Sequence, residues 1–289
     1  CAEPDSAFSL NIAGIIAWRD VPIARFRAGD SPLTPQIELF SSDLLNDPQR
    51  ERLLQRLILW RSAEIARRLP TLDRVARIPL NGAARGLAYQ LIEKIGLIAT
   101  RDARAQINAL TAADRKALAR AGVRLGRFHV FLAGGYSTAQ LTLRARLWAA
   151  AEGWEGALPL PVRGRVSMVV DAPLPVAYYA AIGYPVFGPR AIRADIVERL
   201  AAQARRLAAK GPFEIGAGLS SLAGCPPEAL TLVLAKMGFQ PLESEGGGRL
   251  RFALPTRKDR LGTRPPKSRR QKRVVREAAS PFSKLRDHF

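Results

Sequence analysis

Residues 47–70 read DPQRERLLQRLILWRSAEIARRLP, and this stretch decides the class of fold. Its apolar residues recur at helical spacing, and arginines occupy many of the remaining positions. Asp47 is the expected N-cap, Pro48 suits the first helical turn, and Pro70 ends the pattern. We therefore predict a long amphipathic helix from about residue 47 to residue 69.

The forty residues before this helix have the period of β-strands. Apolar, partly alternating segments lie at residues 8–18, 21–26 and 36–40. Turn-forming residues separate them at 19–20 and 29–32. The pattern predicts a small β meander.

Helices alternate with short extended segments after residue 70. Spacing and capping residues predict helices at 83–95, 111–122, 138–151, 175–182 and 194–209, and extended segments at 123–132 and 184–187. Residues 211–254 resemble a helix-turn-helix followed by a hairpin. The predicted fold is α+β and mainly α-helical, with a β-rich meander (1–40), a helical body (41–210), a winged-helix-like unit (211–256) and a disordered basic tail (257–289).

The charge of the chain favours polyanionic partners. The 289 residues include 45 Lys and Arg against 25 Asp and Glu, a formal net charge of +20. Such a field favours nucleic acid first and an anionic membrane surface second. Most of the basic residues are arginine, whose planar fork suits phosphate recognition, although codon bias in the source genome is an equal explanation.

Several classes of protein are excluded by missing patterns. Cys1, Cys225, His129 and His288 do not have the spacing of zinc ligands, and two cysteines form no disulfide framework. A Walker-type phosphate loop needs a Gly-Lys pair, which does not occur in the chain. No apolar stretch reaches the length of a membrane span, and no signal peptide is recognisable. We expect no cofactor in this chain and a cytoplasmic location.

The helix-turn-helix region has a DNA-binding and a packing interpretation. A helix that reads the major groove needs Arg, Lys, Asn or Gln side chains along its exposed face. Between Pro226 and Met237 the only such residue is Lys236. We therefore favour a winged-helix-like scaffold that serves for packing.

A second candidate surface lies at residues 124–131, RLGRFHVF, where basic and aromatic residues alternate. On an exposed strand, Phe128 would stack on a base while Arg124 and Arg127 hold phosphates. The alternative is an ordinary strand with Phe128 and Val130 in the core and with Arg127 and His129 in solvent.

Four collinear strings resemble the C-terminal accessory region of bacterial superfamily-two helicases related to the mitochondrial degradosome RNA helicase. They lie at residues 84–91 (ARGLAYQL), 122–132 (GVRLGRFHVFL), 143–148 (LRARLW) and 222–228 (LAGCPPE). The resemblance implies that two motor domains precede this region and carry the ATP and Mg²⁺ sites. It implies that RNA, rather than DNA, is the partner. Residues 133–138, AGGYST, depart from the proline- and leucine-rich stretch that is usual in the family.

These observations predict that the chain is the nucleic-acid-binding, C-terminal part of an ATP-dependent helicase and does not hydrolyse ATP alone. The start at Cys1 rather than Met suggests a piece of a longer product. The alternative is a self-standing basic RNA- or ribosome-binding protein without a motor. The predicted nucleic-acid-binding residues are Arg124, Arg127, Phe128, Arg257, Lys258, Arg260, Arg264, Lys267, Arg269, Arg270, Lys272, Arg273 and Arg276.

The extreme C-terminus has two interpretations. Phe282, Leu285 and Phe289 fall on one face of a two-turn helix that Ser280 and Pro281 would open. This face is either a docking motif for a protein partner or three incidental apolar residues on a frayed end, since a helix of this length is marginal alone.

Overall fold

The N-terminal strands form one antiparallel sheet, which confirms the predicted meander, although the segment predicted at residues 8–18 forms two paired strands. A computed structural model describes residues 4–11, 13–41, 44–171, 173–242 and 250–255. In that part of the chain, β1 (Phe8–Leu10), β2 (Ile15–Trp18), β3 (Val21–Arg27) and β4 (Gln36–Leu39) pair in sequence order. Arg19 and Asp20 join β2 to β3 with φ angles of 45° and 70°, the left-handed backbone that suits a tight hairpin turn.

Three helices follow this sheet, namely α1 (Asp47–Arg68), α2 (Pro70–Arg77) and α3 (Gly82–Glu93). The N-cap of α1 is Asn46 rather than the predicted Asp47. Asn46 accepts a hydrogen bond from the Gln49 N–H, and the Gln49 side chain accepts one from the Asn46 N–H, both at 3.0 Å, which is a capping box. Pro70 ends α1 but also begins α2, because a proline fits the first turn of a helix.

A small sheet and two helices follow α3. Their bounds are β5 (Leu97–Ala99), α4 (Arg104–Ala109), α5 (Ala112–Ala121), β6 (Val123–Leu125) and β7 (His129–Leu132). The predicted capping box opens α5, where the Thr111 hydroxyl accepts from the Asp114 N–H at 3.1 Å. Gly122 ends α5 with a φ of 98°. The antiparallel sheet has the order β5-β7-β6, so β7 is its central strand.

The next helix, α6 (Thr138–Glu152), is largely buried. It contacts α1 and β3, and its buried residues lie on several faces, Arg144 among them. Beyond it come β8 (Ser167–Val169), α7 (Val176–Ala181), β9 (Val186–Phe187) and β10 (Arg190–Ile192). The three strands form an antiparallel sheet in the order β8-β10-β9.

The last described elements have the order of a winged helix. They are α8 (Ala194–Ala208), β11 (Phe213–Glu214), α9 (Ala217–Ala223), α10 (Pro227–Lys236), β12 (Gln240–Leu242) and β13 (Arg251–Ala253), with the sheet order β11-β13-β12. Buried side chains of α8, α9 and α10 pack with Phe213 and Phe252 in one hydrophobic cluster. The helix α8, which precedes residue 211, therefore shares the core of this unit.

Residues from the meander to β10 share another, larger hydrophobic cluster. It contains Phe8 and Phe26 from the meander, Trp60 from α1, Leu91 from α3 and Trp148 from α6. We call this the first cluster and the winged-helix cluster the second. Among the described residues, no helix is both long and apolar enough to cross a bilayer.

Candidate nucleic-acid interface

The segment with alternating basic and aromatic residues forms a β-hairpin, not the single extended segment predicted over residues 123–132. The strands β6 and β7 pair with Arg124 opposite Phe131, and the Gly126 N–H donates to the His129 carbonyl at 2.8 Å. Residues 126–129 thus make a tight turn. Every residue of β7 is buried, because side chains of other elements pack against both faces of this sheet. Alternation along β7 therefore does not place one set of side chains in the core and the other in solvent, because both sets are buried.

Glu198 of α8 holds the turn of the hairpin. Its carboxylate accepts hydrogen bonds from three successive backbone N–H groups, at 2.7 Å from Arg127, 2.9 Å from Phe128 and 3.1 Å from His129. Successive N–H groups that converge on one point form an anion-binding nest. Gly126 leaves room for this carboxylate, since a methyl group there would lie 2.5 Å from it. The anion that occupies the nest is thus part of the protein.

Arg124 and Arg127, two of the predicted site residues, are both exposed on this hairpin. Arg124 donates to the Ala119 carbonyl at 3.0 Å, in the last turn of α5, where a cation also complements the helix dipole. The Arg127 side chain has no ion pair or hydrogen bond with any described residue. Arg127 is therefore available to an external anion, and Arg124 remains accessible while it caps α5.

Three further exposed arginines directly follow, along the chain, residues that contact the hairpin. Arg120 follows Ala119, and Arg199 follows Glu198. Arg101 follows Thr100, whose N–H donates to the Phe128 carbonyl at 2.8 Å. We define the hairpin arginine surface as Arg101, Arg120, Arg124, Arg127 and Arg199.

Acidic residues neutralise little of this surface. Arg101 lies 3.4 Å from the Asp102 carboxylate, in a pair that is mostly exposed, and such pairs contribute little. Within the described ranges, Arg120, Arg124, Arg127 and Arg199 have no ion-pair partner. Most of this surface therefore keeps its positive charge, of which the sequence analysis identified only Arg124 and Arg127.

Phe128, the third predicted residue on the hairpin, is half-buried and packs against the second cluster. Its ring meets the Phe187 ring edge-on, with centroids 5.5 Å apart. This is a packing contact of the kind that aromatic pairs favour. The ring anchors the hairpin turn to the winged-helix unit.

His129 is buried, so the expectation that it lies in solvent is wrong. Burial and the nearby charge of Arg101 lower the pKa of His129 to about 4. The imidazole is therefore neutral at pH 7, and its Nδ1 has no hydrogen-bond partner among the residues that the structure describes. Its ring packs edge-on against Phe187 at 5.8 Å.

A cavity of about 580 Å³ lies beside the hairpin, between α3, β5, α6 and α7. His129 lines it from the hairpin side, Arg101 contributes to its wall, and Tyr89 lines it with a ring that is 63% exposed. The described residues that line the cavity include no Ser, Thr or Cys. Of the hydroxyl and thiol side chains, the described lining therefore offers only the Tyr89 phenol, and its apolar walls suit contact with a flat ring.

The exposed side of α10 has few groups that could read DNA. Its exposed residues are Pro227, Glu228, Leu232, Ala235 and Lys236. Lys236 is the only one of these with a donor side chain, in agreement with the sequence analysis.

The remaining predicted residues lie outside the part of the chain that the structure describes. They are the ten basic residues from Arg257 to Arg276, together with Phe282, Leu285 and Phe289. Of the predicted nucleic-acid-binding residues, Arg124, Arg127 and Phe128 are therefore the three that the structure brings together on one hairpin.

Sequence reasoning missed the role of Glu198 and the arginines that surround the hairpin. Glu198 is 71 positions from Arg127 along the chain, and nothing in the helical period of α8 indicates a contact with a distant turn. Comparison with protein-family models, curated proteins and solved structures found no match to this chain.

Proposed function

We propose that this chain binds single-stranded nucleic acid, RNA rather than DNA, through the hairpin arginine surface. The observation that carries the proposal is a group of five exposed arginines in or beside one anchored hairpin, four of them without an ion-pair partner among the described residues. Arginine binds phosphate oxygens through a planar fork of donors. The net charge of +20 would attract the strand from a distance.

The preference for a single strand rests on what the winged-helix unit offers. The exposed face of α10 carries one donor side chain, so sequence-specific contacts in a major groove have little support. Backbone binding by a positively charged surface needs no such face. The preference for RNA rests on the resemblance to the accessory region of RNA helicases.

The same resemblance supports a role beside a helicase motor. Its four strings lie in α3, in the β6–β7 hairpin, in α6 and at the junction of α9 and α10. We propose that motor domains in the same polypeptide supply ATP hydrolysis and that this chain holds the strand. A self-standing RNA-binding protein would use the same surface, and the coding sequence upstream of Cys1 separates the two proposals.

Salt-dependent binding tests the interface. We would measure the affinity of the full chain for a labelled 20-nucleotide RNA and for DNA of the same sequence over a range of salt concentrations. If the chain neutralises ~6 phosphates, log Kobs should fall against log[salt] with a slope near −4. Replacing Arg120, Arg124 and Arg127 by glutamine should reduce that slope by about 2.

A matched variant controls for the loss of charge. Arg52, Arg163 and Arg206 are exposed arginines on other parts of the chain, and their replacement by glutamine removes the same three charges. We expect this control to retain nearly the original slope. Equal slopes for the two triple variants would refute the hairpin as the interface, while a chain that does not bind RNA at all would refute the function.

A further inference from the structure

Arg144 is a buried cation without an internal partner. Its side chain projects from α6 and the residue is only 3% exposed. No described residue accepts a hydrogen bond from its guanidinium or forms an ion pair with it. An uncompensated buried charge is costly, and arginine does not escape that cost by losing its proton. The fold therefore retains a buried positive charge that a bound anion would compensate.

Three glycines allow the backbone to approach this guanidinium closely. A methyl group added at Gly135 would lie 3.2 Å from Nη2, and one at Gly183 would lie 3.0 Å from Nη1. At Gly96 the corresponding distance to Nη2 is 3.6 Å. All three glycines have positive φ angles, between 80° and 99°. Side chains are thus absent where they would cover the end of Arg144.

The terminal nitrogens of the guanidinium are not fully buried. Of its nitrogens, only Nε is both fully buried and without a partner, so the two terminal nitrogens reach solvent. One of them, Nη2, lies beside Gly135, in the loop Gly134–Tyr136 that comes just before α6 and that we call the glycine turn. The N–H groups of these three residues make no hydrogen bond within the described structure. Backbone N–H groups without a partner and the guanidinium of Arg144 are therefore close neighbours.

The neighbouring side chains do not supply the missing anion. Asp195 uses both carboxylate oxygens to accept from Arg193, at 2.6 Å and 2.9 Å. The Arg193 guanidinium lies over the Tyr136 ring, 4.9 Å from its centroid. Burial raises the pKa of Tyr136 to about 12, so this hydroxyl stays protonated and is itself a donor.

We propose that Arg144 and the Gly134–Tyr136 turn form a binding site for a phosphate group. Phosphate oxygens would accept from the terminal nitrogens of Arg144 and from the N–H groups of the turn, which is the donor set that phosphate sites use. The phosphate belongs either to a nucleic-acid backbone or to a free phosphate. The site follows from the geometry around Arg144 and does not depend on the hairpin arginine surface.

Titration of the full chain with inorganic phosphate tests the site. We would follow the amide signals of Gly134 and Gly135 by NMR at constant ionic strength, with dimethyl phosphate as a second probe. We expect saturable shifts with inorganic phosphate and at least tenfold weaker binding in Arg144→Lys. Saturation by dimethyl phosphate as well would assign the site to a nucleic-acid backbone, and saturation by inorganic phosphate alone would assign it to a free phosphate.

Two glycine variants separate blocking of the site from backbone strain. Gly134 and Gly135 have similar φ angles, 77° and 83°. A methyl group at Gly134 meets open space, whereas one at Gly135 approaches the guanidinium. Gly135→Ala should therefore lose phosphate binding, and Gly134→Ala should keep it. If Arg144→Lys does not fold, the comparison of Gly135→Ala with Gly134→Ala tests the proposal instead.

Arg146→Lys provides a control on the same helix, because Arg146 lies beside Gly14 rather than beside the glycine turn. We expect phosphate binding in this variant to equal that of the wild type. Absence of saturable shifts with both probes would overturn the proposal. Unchanged phosphate binding in Arg144→Lys or in Gly135→Ala would overturn it as well, whatever the outcome of RNA binding.

Discussion

Removing the charge of Glu198 should destabilise the protein measurably. In Glu198→Gln, the amide oxygen can still accept from the N–H groups of Phe128 and His129, which share one carboxylate oxygen in the wild type. The amide nitrogen would then face the Arg127 N–H, so two donors meet where a bond of 2.7 Å existed. A hydrogen bond to a charged group contributes about 1.5–3 kcal/mol. We expect Glu198→Gln to lower the free energy of unfolding by about 2–3 kcal/mol.

Urea denaturation followed by circular dichroism measures this loss. The slope of the free energy against urea should stay the same, because the variant exposes the same surface on unfolding. Glu214→Gln is the control, since Glu214 is exposed on the short strand β11, and a surface change of this kind should stay within about 0.5 kcal/mol. A loss below about 0.5 kcal/mol for Glu198→Gln would show that the nest does not need the carboxylate.

Three further predictions concern the hairpin and the tail. Phe128→Ala should cost about 2–3 kcal/mol of stability, less than a fully buried phenylalanine, and unchanged thermal stability with weakened RNA binding would instead identify Phe128 as a base-stacking residue. The unfolded chain binds the His129 proton at a higher pH than the folded chain, so stability should fall as the pH drops from about 6.5 to about 4. By pH 4 the free energy of unfolding of the wild type should have fallen by about 3 kcal/mol more than that of His129→Gln. An equal fall in the two proteins would contradict this. Truncation after Thr256 removes twelve basic and three acidic residues and should flatten the salt dependence of RNA binding, whereas an unchanged slope would exclude the tail from the interface.

Local signals were sufficient to predict most of the helices. The capping box at Thr111 and the glycine that ends α5 are contained in a few consecutive residues, and both are present in the structure. The helix α6 also lies close to its predicted bounds, because Ser137 caps its start and Gly153 ends it. Such interactions are short-range, so the sequence contains both partners side by side.

The predicted helix boundaries differ from the structure where two residues compete for one role or one residue fills two roles. Asn46 and Asp47 are both good N-caps, and the choice falls on Asn46 because Gln49 then stands at the third helical position and closes the capping box. Pro70 ends one helix and begins another, because a proline breaks the helix before it and also favours the first turn of the next. In both cases the deciding residue was visible in the sequence.

The candidate interface could not be predicted in the same way. The burial of His129 depends on packing against Phe187, and the hairpin turn depends on a carboxylate from α8. Neither contact leaves a periodic signal, because the partners are distant along the chain. Sequence reasoning could name exposed arginines of the hairpin but not the turn that positions them.

The contact between Glu198 and the hairpin also makes three backbone amides into a natural probe of internal motion. The amide protons of Arg127, Phe128 and His129 are held by one carboxylate, and that carboxylate belongs to a helix of the second cluster. These protons are protected from exchange with deuterium while the carboxylate accepts from them, and they become exchangeable together when it leaves the nest. Their common exchange rate therefore reports how often the Glu198 carboxylate releases the hairpin in the intact protein.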